Sequence, residues 1–359
     1  MLQRTAYPVL AEEVRDVLIR EGRGECPCFL DIETTGLSRK NSYIYLYGIL
    51  KYEGGRWVLL QKMAESFQEE GELLQSLFSE LSGVSLLITY NGEAFDLPFI
   101  RERCEILSLP FIRECFENSA PSNKEETGWT SLDLYRKYKP FAPLLSLPDR
   151  KMASLEKLLS LPEREFSSGK ECISIYREYV KQYALRLALK EDWSAEKDSC
   201  SPALFGHNRE DLLGLSGVTS LLSLFQLSED RGDFLSASVT EAEKRQLCLV
   251  FSYALPFPAL AFVRFPGGSF SLSGHEAAFC FDICEKGLPL YYTNYKEYDY
   301  IPTEDTAMPK SLSRFLDKSL RVSCKPENCR TWFPCSDDFL SSPEKIGEFL
   351  RHFFRYLFS

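Results

Sequence analysis

Two acids in the middle of an apolar run constrain this chain more than any other feature. In Cys28-Phe29-Leu30-Asp31-Ile32-Glu33-Thr34-Thr35-Gly36-Leu37, residues Phe29, Leu30 and Ile32 read as a buried strand, and Asp31 and Glu33 interrupt it. Side chains two positions apart on a strand leave the same face. A pair of ionised carboxylates placed so repels itself and loses hydration, which a purely structural strand rarely tolerates without a compensating cation. Two readings follow. Either the strand lies at an edge with both acids in water, or the acids hold a hard divalent cation through oxygen ligands.

A chain of 359 residues is long enough for two domains of ordinary size, and its apolar (44%) and charged (26%) fractions are those of a soluble globular protein. No apolar run approaches a membrane span, and residues 1–20 carry acids where a signal peptide needs an apolar core, so a cytoplasmic location without membrane contact is expected. The 12 cysteines fit a reducing compartment, since a chain of this size buries a core without disulfides. A net charge of −10 does not advertise a nucleic-acid binder, although bound divalent ions would neutralise part of an acidic site. The charge is uneven. Across residues 131–190, Lys and Arg outnumber Asp and Glu by 12 to 7, either a surface that tracks phosphates or a solvated helix face.

Residues 1–25 are expected to form a leader helix, with Val9, Leu10, Val14, Val17 and Leu18 as its apolar stripe. A second apolar run at 43–52 turns at Gly54-Gly55 into a strand over 57–63. The spacing then predicts a helix over 69–81, a strand over 84–90 and a helix over 94–106, a mixed α/β arrangement. Helical periodicity follows at 132–138, 152–161, 171–189 and 203–225, the last opened by Ser201 and Pro202. These segments delimit a domain over 26–228. From 240 to 359 short aromatic and β-branched runs separated by Pro and Gly, among them 247–251 and 261–265, indicate a β-rich α+β unit, closed by helices over 309–320 and 343–358.

Carboxylates recur in two later places. Asp96 lies in Thr89-Tyr90-Asn91-Gly92-Glu93-Ala94-Phe95-Asp96-Leu97-Pro98-Phe99-Ile100, among apolar residues just after a predicted strand, either partly desolvated or an ordinary helix cap. His207 and Asp211, four apart in Gly206-His207-Asn208-Arg209-Glu210-Asp211, share one face of a predicted helix. Alone, such a pair is a common surface contact. With Leu204, Leu215 and Val218 setting the buried side, that face can meet the strand carrying Asp31.

Taken together and in this order, the three stretches resemble the DEDD exonucleases of the ribonuclease-H-like fold. More closely, "FLDIETTGL", "TYNGEAFDLPFI" and "HNREDLLGL" look like the YprB-type ribonuclease-H-like proteins of bacteria, and "YNGEAFDLPFI" is also similar to the second exonuclease motif of family-B DNA polymerases. The resemblance covers about residues 25–225. It implies a mixed sheet flanked by helices and a site in which Asp31, Glu33, Asp96 and Asp211 bind two divalent cations. His207 falls where such enzymes carry a general base, Thr34, Gly36 and Leu37 match the turn that receives the terminal nucleotide, and Asn91 matches the polar residue of the second motif. One departure stands out. His207 and Asp211 are separated by three residues, the spacing of Tyr-type members, so His207 occupies a Tyr-like position.

Four converging carboxylates would need about two divalent ions, and two ions perform both halves of phosphodiester hydrolysis. An all-oxygen ligand set suits Mg²⁺ or Mn²⁺ better than Zn²⁺. The expected activity is metal-dependent 3′-to-5′ exonucleolytic hydrolysis of single-stranded DNA or RNA. The alternatives are a catalytically silent nucleic-acid-binding module with the same fold, and an endonuclease or small-nucleotide phosphodiesterase using the same metals. Cys280, Cys284, Cys324, Cys329 and Cys335 lack the paired spacing of zinc fingers and read as free thiols. The tyrosine-rich run 290–300 reads as half-buried packing rather than a base-stacking surface, and Asp133 and Lys151 are weak candidates for a substrate groove.

Overall fold

The computed structural model describes residues 1–10, 14, 17–18, 26–109, 129–142, 145–166, 168–190, 198–228, 232–241, 244–265 and 267–357. They form two compact units, Met1–Tyr138 with Arg150–Ser220, and Lys139–Asp149 with Leu221–Ser359. Among the described residues no helix is long and apolar enough to cross a membrane.

The first unit is built on strands β1 (Leu2–Ala6), β2 (Pro27–Thr34), β3 (Ile44–Glu53), β4 (Arg56–Met63), β5 (Leu86–Thr89) and β6 (Thr130–Asp133), in spatial order β1-β4-β3-β2-β5-β6. β2, β3 and β4 run antiparallel, whereas β5 and β6 join parallel to β2, so β2 is the strand at which the sheet changes sense. Its apolar residues Leu30 and Ile32 pack on one face with Leu73, Leu74 and Leu77 of the helix Glu70–Glu80 and with Phe99 and Ile100 of the helix Asp96–Ile106. A second core holds Tyr45, Leu46 and Met63 against the helices Gly169–Leu189 and Ser201–Val218, with Tyr45 stacked on Tyr176 at 4.1 Å. Helices therefore cover a mixed sheet.

Three expectations for this unit are corrected. Leu2–Ala6 is a strand paired with β4, not the start of a leader helix, because the five residues carry no helical stripe and β4 offers an open edge. Val14, Val17 and Leu18 are helical and buried, Val9 is exposed, and the other residues between 11 and 25 lie outside the described residues. Leu132 and Asp133, at the start of the helix expected over 132–138, instead end the short parallel strand β6, and the helix is confined to Leu134–Tyr138.

In the second unit β7 (Asp233–Glu241), β8 (Arg245–Phe265) and β9 (Gly268–Asp282) form an antiparallel sheet. The separate runs expected at 247–251 and 261–265 are one strand, which crosses Pro256 and Pro258 through register shifts that absorb the missing N–H donors. The helix Pro343–Leu357 packs Phe349, Phe353 and Phe354 on Phe281, Phe265 and Phe279. The helix expected over 309–320 shrinks to the single turn Lys310–Ser313. This unit also begins earlier than the break expected between 228 and 240. Phe225 packs on Phe141, and the Gln226 side chain exchanges two hydrogen bonds with the backbone of Leu255. Tyr292, Tyr295, Tyr298 and Tyr300 pack around Ala307, Cys324 and Cys329, while Cys280 faces Cys248 across β8 and β9.

Candidate active site

Alternation along β2 sends Leu30 and Ile32 into the core and turns Asp31 and Glu33 to the face covered by the helix Ser201–Val218. That helix arrives by one buried side chain. Asn208 donates from Nδ2 to Asp31 Oδ2 (2.7 Å), and its Oδ1 accepts from Gln61 Nε2 (2.7 Å), which also donates to the Phe205 carbonyl (2.9 Å). Gly48 of β3 makes the approach possible, because a Cβ there would lie 2.0 Å from Asn208 Oδ1. His207, the residue before Asn208, holds its Nε2 3.6 Å from Glu33 Oε1 and 3.3 Å from Oδ2 of Asp211, one turn further along the helix.

Asp96 enters from the other side of β2. The ladder between β2 and β5 stops at Phe29 and Ile88, which leaves the next inward N–H of β2 without a strand partner. Asp96 Oδ1 accepts that N–H, from Ile32, at 3.3 Å. The turn that brings Asp96 there is held by buried Asp133, whose carboxylate accepts the N–H groups of Asn91 (2.8 Å), Glu93 (3.2 Å) and Tyr135 (3.0 Å). Asn91 sits in the left-handed region at φ 64°, which Asn tolerates better than most residues. Asp133 is thus a support for the second motif and faces the interior, not a groove.

After β2 the chain turns tightly. Thr34 Oγ1 donates to the Gly36 carbonyl (2.9 Å), Thr35 pairs with Tyr43, and Arg39 reaches the Ala94 carbonyl (2.7 Å), tying the first acidic segment to the second. Leu37 projects from this turn with 85% of its surface exposed. An apolar side chain held out beside a polar site offers a surface for a flat ligand.

The electrostatics are those of crowded anions. Burial pushes the Asp31 carboxyl well above the ordinary range, and the charges of Asp211, Glu33 and Asp96 push it further, against the hydrogen bond from Asn208. Burial, then Asp211 and Asp96, raise Glu33 in the same way, opposed by Arg164. Asp96 is raised to about 7, by burial first and against the backbone N–H of Ile32. Tyr45 rises too, by burial and by the nearby Glu33, and its hydroxyl is buried without a hydrogen-bond partner among the described residues. Asp31, Glu33, Asp96, His207 and Asp211 are therefore brought together, and Thr34, Gly36, Leu37 and Asn91 lie on the two turns beside them. Glu33, His207 and Asp211 form the tightest group, with ligand atoms all within 4.8 Å of one another. Asn208, Gln61 and Arg164 were not singled out by the sequence. Asn208 lay inside the quoted motif, but nothing in its spacing marked it.

A family model described as the RNase_H superfamily matches residues 28–223. Among solved structures the chain is similar to the family B DNA polymerase from the hyperthermophilic archaeon Pyrobaculum calidifontis, at 15% identity and a TM-score of 0.34 over 61% of this chain and 31% of that one. It is also similar to E. coli Exonuclease I in complex with a dT13 oligonucleotide, at 11% identity and a TM-score of 0.31 over 64% of this chain and 55% of that one. The chain spans less than two thirds of either, and likenesses so remote carry no weight for activity. No curated protein matches.

Proposed function

The chain belongs to the RNase_H superfamily, and from that premise we propose that its first unit is a metal-dependent nuclease of the YprB type, removing nucleotides from the 3′ end of single-stranded DNA or RNA. The observation that carries the reading is the meeting of Asp31, Glu33, Asp96 and Asp211 at one end of the sheet, where burial and mutual repulsion raise Asp31, Glu33 and Asp96 together. Carboxylates so arranged are stabilised by divalent counter-charge, and their hard oxygen donors fit Mg²⁺ or Mn²⁺. Asp31, Glu33, Asp96 and Asp211 are the residues that would hold two such cations, which supply Lewis acidity to the phosphodiester oxygens and lower the pKa of an attacking water.

The chain's own groups do the rest. Asn208 fixes the orientation of Asp31 from behind, and Ile32 N–H fixes Asp96. His207 Nε2 is the imidazole nitrogen facing the acids, placed to take the proton of the attacking water. Its Nδ1 is buried without a partner among the described residues. Acting as base through Nε2 then requires a buried Nδ1–H with no acceptor, an unfavourable tautomer. The proximity of His207 to Glu33 and Asp211 also supports a second role, as a ligand that favours Mn²⁺ over Mg²⁺. Leu37, with Thr34, Gly36 and Asn91, supplies the surface on which the terminal nucleotide rests.

The test is incubation of purified protein with 5′-labelled single-stranded RNA and DNA, with Mn²⁺ or with EDTA. A metal-dependent ladder shortening from the 3′ end, lost in Asp31→Asn, is expected. Internal cuts would make it an endonuclease. Retention of the strand without shortening would make it a silent binding module, and substantial cleavage by Asp31→Asn would refute the assignment.

A further inference from the structure

We propose that Arg164 is the positioning residue of Asp211, fixing one carboxylate oxygen so that the other faces Glu33 and His207; this rests on the metal-binding reading of the site given above. The two oxygens of Asp211 are differently engaged. Oδ1 accepts from Arg164 Nη1 at 2.5 Å, whereas Oδ2 lies 3.3 Å from His207 Nε2. A ligating carboxylate is commonly oriented through its second oxygen by an outer hydrogen bond, and such partners matter nearly as much as the ligand.

Arg164 is itself held. Its Nε and Nη2 donate to Glu156 Oε2 (3.0 Å) and Oε1 (2.7 Å), a bidentate fork that leaves Nη1 aimed at Asp211. The segment bearing it lies between the helices Met152–Leu158 and Gly169–Leu189 and is strapped across the helix that carries Asp211. The Glu210 carboxylate accepts the backbone N–H groups of Glu165 (2.8 Å) and Phe166 (3.3 Å). The fit against that helix leaves no room for larger side chains. A Cβ on Gly214 would lie 1.9 Å from Glu156 Oε1, one on Gly206 2.5 Å from the Phe166 ring, and one on Gly217 2.6 Å from Leu161 Cδ1. Arg164, in the basic stretch 131–190, is turned onto the candidate site.

Charge decides between two roles for this contact. An unpaired guanidinium beside a cation site repels the cation and competes with it for Asp211. Arg164 is not unpaired: with Glu156 it forms a neutral couple, which supplies orientation without net repulsion. The two roles predict opposite effects on metal affinity when Arg164 is replaced.

Mn²⁺ binding, read from the electron paramagnetic resonance of the free ion, separates them. Arg164→Gln is expected to weaken Mn²⁺ binding about 10–100-fold, the range for loss of an outer-shell partner. Arg164→Lys is expected to restore only part of it, since an ammonium cannot keep the fork. Leu161→Ala thins the strap's packing on Gly217 without removing a hydrogen bond of Arg164. It should lower the melting temperature in EDTA more than Arg164→Gln does, and Mn²⁺ affinity less. Unchanged or tighter Mn²⁺ binding by Arg164→Gln, with Asp211→Asn weakened, would overturn the positioning role. So would a loss in Leu161→Ala as large as that in Arg164→Gln, which would mark general loosening. Wild-type affinity in Asp211→Asn would instead sink the metal-binding reading itself.

Discussion

Asn208 Nδ2 lies 2.7 Å from Asp31 Oδ2, so a buried amide from a distant helix orients the first acid of the sheet. The bond joins residues 177 apart in sequence and anchors the helix that also carries His207 and Asp211. Asn208→Ala would remove a donor from a carboxylate and an acceptor from Gln61, which keeps its bond to the Phe205 carbonyl. A loss of about 1–3 kcal/mol in unfolding free energy is expected, with a fall in nuclease turnover larger than the stability change explains. Urea denaturation alongside single-turnover cleavage checks both. Gly48→Ala should be at least as damaging, since its Cβ would press on Asn208 and Leu212 together.

Asp96 gives a pH dependence. Its carboxyl is raised from 3.8 to about 7 in the fold, so between those values the native state binds a proton that the unfolded chain has released. Stability then falls as pH rises through that window. In EDTA the melting temperature is expected to fall from pH 5 to pH 8, and Asp96→Asn, which cannot ionise, should make that slope shallower, the remainder coming from Asp31 and Glu33, which are raised in the same direction. On the proposed reading, Mg²⁺ or Mn²⁺ should stabilise the wild type more at pH 8 than at pH 5, because ionised carboxylates hold a hard cation and protonated ones do not. A melting temperature in EDTA that climbs across this range in the wild type and not in Asp96→Asn would reverse the sign.

Away from the reacting groups, the turn that carries Leu37 depends on one buried ion pair. Arg103 donates to both oxygens of Glu70 (2.9 and 2.6 Å) and to the Lys40 carbonyl (3.3 Å), while Glu70 also accepts the N–H of Ile44 (2.8 Å). Both side chains are almost wholly buried. Removing one member of such a pair leaves the other charged and unsatisfied. Arg103→Ala should therefore cost about 3–5 kcal/mol, measured by urea denaturation. Glu70→Gln/Arg103→Met, which removes both charges, should recover much of it.

The ribonuclease-H-like mixed sheet flanked by helices was legible because its signals are local. Period-two alternation exposed Asp31 and Glu33, and the four-residue interval put His207 with Asp211. What stayed hidden depends on partners far away in sequence. Asn208 is a polar residue like its neighbours until Gly48 lets it reach Asp31, and Arg164 was one cation in a basic excess until Glu156 and Asp211 fixed its two ends. The strand Thr130–Asp133 escaped because four residues carry too little alternation to compete with the helix that follows directly. β8 was split in two because proline usually ends a strand, and only the register shifts opposite β9 show how it continues.

His207 is the residue whose role the geometry leaves divided, and one substitution separates the two. As a base it needs only to receive a proton, and its removal should leave cation affinity unchanged while lowering turnover. As a ligand it shares a cation with Glu33 and Asp211, 3.6 and 3.3 Å away, and its removal should weaken binding and turnover together. His207→Gln keeps a polar side chain of similar reach in a pocket where Nδ1 already lacks a partner, so little destabilisation is expected. For the base, kcat should fall about 10²-fold or more with Mn²⁺ affinity within error of wild type. Parallel measurement of Mn²⁺ binding and single-turnover cleavage decides it: a joint loss moves His207 into the ligand set, and an unchanged kcat removes it from the chemistry altogether.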